Sequence, residues 1–75
     1  MTPEQRKFAI STTANYAIEH GNRLKESNGI GFTLPTLFIN DADKHDIATL
    51  VHSRSNNTIR FKSTTKYSIS FQIIY

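Results

Sequence analysis

The chain has no cysteine and no tryptophan, and only two prolines, three glycines and one methionine. Without cysteine there is no disulfide framework and no thiolate metal site, and the redox compartment stays open. No apolar run exceeds three residues, so no segment is long enough to span a bilayer as a helix. The first residues lack the basic-then-apolar pattern of a signal peptide, which predicts an intracellular, cytoplasmic protein. At 75 residues the chain is too short for two domains, a dinucleotide-binding domain or a large enclosed active site. One small domain over residues 1–75 is expected. A fold of about 60 residues buries only about 60% of its unfolded surface, so the stability margin is thin.

Ser, Thr and Asn make up 22 of the 75 residues, and Ile outnumbers Leu nine to four. Ser, Thr and Asn compete for backbone hydrogen bonds and favour caps, turns and strands, and Ile favours strands. The Ile and Asn bias is also what an AT-rich coding genome produces, which points to a phage or mobile-element source.

The formal charge of +3 is unevenly spread. Residues 1–27 carry a net +1 and residues 28–53 a net −2. Residues 54–75 hold Arg54, Arg60, Lys62 and Lys66 with no acid, a net +4. A cationic end on a weakly charged body suits an anionic partner. The same charges also serve to keep an exposed strand from pairing edge to edge with another chain.

A helix start is legible at Thr2-Pro3-Glu4-Gln5. Thr-x-x-Gln is a capping box, and proline at the first helical position loses only an amide that would be unpaired anyway. The apolar seam Ile10, Ala14, Ala17, Gly21, Leu24 follows at helical spacing. Asn28-Gly29 supplies a left-handed stop, with Ile30 expected to fold back on Leu24. The helix is predicted over residues 3–28, with a break at His20-Gly21 as the alternative. Unbroken, it would be about 39 Å long against a compact domain near 30 Å across. The overhang, and the small seam residues Ala14, Ala17 and Gly21, raise homo-oligomerisation through this helix beside packing on the chain's own sheet.

Phe32, Thr33 and Leu34 alternate like a strand, and Pro35 confines it to a sheet edge or a bent connection. Leu37, Phe38 and Ile39 should enter the core. Residues 41–53 read as a helix, with Asp41, Asp43 and Asp46 early, His52 late, and an Ile47, Leu50, Val51 stripe. The alternation Ile47, Thr49, Val51 leaves a strand as the alternative. The last third carries the best strand signal. Ile59 and Phe61, then Tyr67, Ile69, Phe71, Ile73 and Tyr75, share odd numbers and so one face of each strand. A hairpin pairing 58–63 with 67–75 is expected. Parity then demands an odd loop, such as Ser63-Thr64-Thr65 or Thr64-Thr65-Lys66, or a bulge.

Candidate chemistry is sparse. His45 and His52 would share a helix face one turn beyond Asp41, but two turns put them about 10 Å apart along the axis, too far for one metal. His52-Ser53 adjacency does not supply a nucleophile, base and orienting group in a pocket. Asn28-Gly29-Ile30-Gly31 follows a helix, whereas phosphate-cradling loops precede one. No enzyme activity, cofactor or metal is expected.

The remaining constellation is the cationic strand face. Arg60, Lys62 and Lys66, with Arg54 before them, alternate with Ser68, Ser70 and Gln72, whose donors suit carboxylate or phosphate oxygens. Together these readings predict an α+β fold, a long N-terminal helix on a small antiparallel sheet that ends in a hairpin, with a short second helix. The expected function is a non-catalytic regulator or inhibitor that docks on an acidic protein surface. Nucleic-acid binding through the same face is the alternative, weakened because Phe61, Tyr67 and Phe71 are expected to face inward and not to stack on bases.

Overall fold

The computed structural model describes residues 2–36 and 39–75. It is mixed α+β, in the order α1 (Pro3–Glu26), β1 (Gly31–Pro35), α2 (Asp41–Arg54), β2 (Ile59–Thr65) and β3 (Ser68–Ile73). The three strands form one antiparallel sheet with β3 in the centre, ordered β1-β3-β2. Both helices lie on one face of the sheet, and the other face is open.

α1 starts where the sequence indicates. Thr2 Oγ1 accepts from the Gln5 amide at 3.1 Å, and Gln5 Oε1 accepts from the Thr2 amide at 3.0 Å. The helix runs unbroken through Gly21 and ends at Glu26, two residues before the expected stop. Its end is a Schellman motif. Asn28 takes the left-handed conformation at φ 60°, the Gly29 amide donates to Leu24 O at 2.7 Å, and the Asn28 amide donates to Lys25 O at 3.1 Å. Ile30 does not fold back on Leu24. It is 83% exposed, because Gly29 already lies against Leu24 and the chain turns at once into β1.

The seam Ala14, Ala17, Gly21 is buried inside this chain. A Cβ on Gly21 would collide with the Ile59 side chain and come within 3.2 Å of Phe32, so glycine here lets helix and sheet touch. Gly21 is therefore covered by the chain's own sheet, and the whole seam is buried within the chain. The helix does not overhang a round domain. The molecule measures 38 × 22 × 15 Å, so α1 spans its long axis. The N-terminal half of α1 packs on α2, and its C-terminal half packs on the sheet.

Residues 41–54 are helical, which decides against the strand alternative. Asn40 is the cap, its side chain accepting from the Asp43 amide at 2.8 Å. The core comprises Leu34, Ile47, Val51, Ile59, Ile69, Phe71 and Ile73 together with the two seam alanines. Each large side chain buried there contributes about 1.5–3 kcal/mol of transfer free energy. Ile39 packs at the edge of this cluster, while Leu37 and Phe38 lie outside the described residues.

The hairpin differs from the expected one in register. β2 extends to Thr65, the turn is Lys66-Tyr67, and β3 begins at Ser68. Parity is restored by a bulge at Lys62, between the pairs Phe61–Phe71 and Ser63–Ser70. Downstream of the bulge the even-numbered Thr64 pairs with Ile69, and so faces the helices. Inward orientation of the aromatic rings holds fully only for Phe71. Phe61 sits on the helix face but is 42% exposed at the sheet edge, whereas Tyr67 and Tyr75 are 57% and 67% exposed. Tyr67 lies in the turn, and Tyr75 lies beyond β3, where its hydroxyl donates to Gly29 O at 2.6 Å.

Candidate functional site

The open face of the sheet is built by cross-strand rows. Gly31, Gln72 and Arg60 form one row, Thr33, Ser70 and Ser63 a second, and Pro35, Ser68 and Thr65 a third. Hydroxyls link neighbours along these rows. Thr33 Oγ1 and Ser70 Oγ share a hydrogen bond at 2.9 Å, and Thr65 Oγ1 and Ser68 Oγ share one at 2.7 Å. Gly31 permits close approach, since a Cβ there would lie 2.6 Å from Phe71 O. Over the first two rows lies a shallow concavity of about 400 Å³, lined among others by Thr33, Lys62, Ser63, Ser70 and Gln72.

The residues singled out in the sequence divide into three groups. Lys62, Ser70 and Gln72 line the concavity on the open face, Arg60 shares that face as the cross-strand neighbour of Gln72, and Ser68 stands one row away. Lys66 occupies the hairpin turn, with Nζ 5.5 Å from the centre of the Tyr67 ring. Arg54 is elsewhere. It ends α2, and its Nη1 donates to Asn15 Oδ1 at 2.9 Å and Ser11 Oγ at 3.2 Å, so it ties α2 to α1. Among the described residues none of Arg54, Arg60, Lys62 or Lys66 is ion-paired. Asp43, by contrast, is engaged by Arg6. Arg6 Nη2 donates to Asp43 Oδ1 at 2.6 Å and Nε to Oδ2 at 3.3 Å, and these bonds raise the guanidinium pKa above its ordinary value.

Two groups of contributors were not evident in the sequence. Thr33 and Ser63 join the open face only because β1 and β2 align on β3. The second is Lys44, only 3% exposed, whose Nζ donates to Thr65 O at 2.9 Å and Lys66 O at 3.1 Å and lies 3.5 Å from Asp41 Oδ1. The Thr36 amide donates to Tyr67 O at 2.8 Å. Three successive carbonyls at the tip are thus held from below. A signal for Lys44 existed, because it continues the Ile47, Val51 stripe by one turn.

The histidines form no shared site. His20 lies between the Tyr16 and Phe32 rings, and His45 and His52 are exposed. Among the described residues no group of three or more His, Cys, Asp or Glu is placed to hold a metal ion. No described helix is long and apolar enough to cross a membrane. No known protein family, curated protein or solved structure matches this chain.

Proposed function

We propose that this protein is a non-catalytic docking module, a cytoplasmic regulator or inhibitor of phage or mobile-element type. It binds an acidic protein surface with the open face of its sheet. One observation carries the reading: among the described residues Arg60 and Lys62 stand on the open face without an acidic partner, and Lys62 lines a concavity that also presents the hydroxyls of Thr33, Ser63 and Ser70, the Gln72 amide and the exposed Ile30. Free cations raise the association rate with an anionic surface, and the Ser, Thr and Gln groups fix orientation once contact is made. Among the described residues the hydroxyls of this face bond to one another, Thr33 to Ser70 and Thr65 to Ser68, and none is hydrogen-bonded to a histidine or carboxylate.

A second reading, nucleic-acid binding, gains from the tip. Tyr67 is exposed beside Lys66, an aromatic next to a cation as single-strand binders use. Titrating the ¹⁵N-labelled protein at ~50 mM salt with a polyglutamate peptide, and separately with single-stranded DNA, distinguishes the two. With the peptide, amide shifts are expected at Thr33, Arg60, Lys62, Ser63, Ser70 and Gln72, and they should vanish in the R60E/K62E variant. Shifts confined to α1, or none, overturn the docking reading. Tighter binding of DNA, with a log–log salt slope near −0.7 per phosphate contacted, replaces it with the second.

A further inference from the structure

The sheet has two edges, and they are not equivalent. β1 is five residues long, ends at Pro35 and presents no cation on its open-face positions Gly31, Thr33 and Pro35. β2 is seven residues long, contains no proline, is exposed at every position after Ile59, and carries Arg60 and Lys62. Among the described residues no strand lies beyond it, so its outer row of amides and carbonyls is unpaired in the sheet. Between α2 and the helix-facing side of β2 runs a groove of about 360 Å³. It is lined by Ala48, His45, Thr49, Phe61 and Thr64, with Asp41 and Lys44 completing it. The half-exposed Phe61 ring is its largest apolar wall.

We propose that this edge takes an extended acidic peptide as a fourth strand. The inference rests on the docking reading and names the partner's form. Successive side chains of an added strand point to opposite faces of the sheet. Those turned to the helix side enter the groove against Phe61 and Ala48, and those turned to the open side meet Arg60 and Lys62. The ligand pattern is therefore alternating, apolar then acidic. Charge selects this occupant over a second copy of the chain, because β2 paired with β2 would bring four cations together at one edge. The bulge at Lys62 bends the edge, which leaves short straight stretches that suit a peptide better than another sheet. The acid in the groove, Asp41, is already turned toward Lys44.

The test uses an acetylated heptapeptide alternating aspartate with valine, and two N-methylated forms, one blocked along each edge of the peptide. Against the ¹⁵N-labelled full chain at ~1 mM peptide, shifts are expected in the β2 amides and in α2 at Ala48 and Thr49, with a Kd on the order of 1 mM. One methylated form should bind like the parent and the other should not. The F61S variant should bind roughly tenfold more weakly, as loss of one buried apolar contact implies. Equal binding or equal loss by the two methylated forms overturns strand addition. So does failure of the parent heptapeptide while polyglutamate still shifts the open face, and in that case the docking reading survives. If neither peptide shifts either region, both readings fall.

Discussion

β1 and β2 flank the same central strand, but they are held to the protein by different forces. β1 is fixed by burial. Leu34 enters the core, and Phe32 packs its ring 5.3 Å from that of Phe71 and 5.0 Å from His20. β2 places one residue, Ile59, in the core, and its far end is held by polar contacts. Lys44 holds the turn carbonyls, and Thr64 Oγ1 donates to Ser68 O at 2.9 Å. The contrast shows how a domain this small can expose a strand. An edge anchored by hydrogen bonds at its tip need not bury its side chains, so those side chains remain available for recognition.

The comparison predicts a ranking of effects. The largest is on the buried edge. Leu34→Ala should lower unfolding free energy by about 2–5 kcal/mol in urea titration, and a loss under about 1 kcal/mol would mean that β1 is not core-anchored. Lys44→Met comes next. It keeps the buried stem but leaves two carbonyls without their donor, a cost of about 1–3 kcal/mol. Hydrogen exchange should rise at the β2–β3 tip while the β1–β3 amides stay protected, and a uniform rise across the sheet would contradict separate anchoring. The smallest effect is on the exposed edge. R60E/K62E should change stability by no more than about 0.5 kcal/mol in the same titration, since neither residue is paired or buried. A larger loss would give these cations a structural duty and weaken their assignment to binding.

The sequence signals that survive in the structure are local ones. The Thr2 to Gln5 capping box, the Asn28 stop, the helical stripe of α2 and the edge position of Pro35 each depend on neighbours within one turn or one strand. What the sequence does not reveal depends on tertiary placement. Odd-number alternation identified Ile59, Ile69, Phe71 and Ile73 as inward. It could not locate the bulge, because a bulge at Lys62 with a two-residue turn satisfies the same parity as an odd loop. Arg54 looked like part of the cationic strand because charge was counted along the chain, whereas α2 ends at Arg54 and turns it toward α1. Lys44 falls on the buried stripe of α2. Its burial is compensated by carbonyls 21 and 22 residues away, which no local pattern encodes.

That lysine has one more consequence. Lys44 and the Thr36 amide both seize main-chain oxygens of the turn and touch none of its side groups. The hairpin apex is therefore secured through its main chain, including the Tyr67 amide that donates to Thr65 Oγ1. Side chains at positions 66 and 67 that keep this amide are the place where foreign residues could be grafted, or a lineage could diversify its binding, without rebuilding the scaffold.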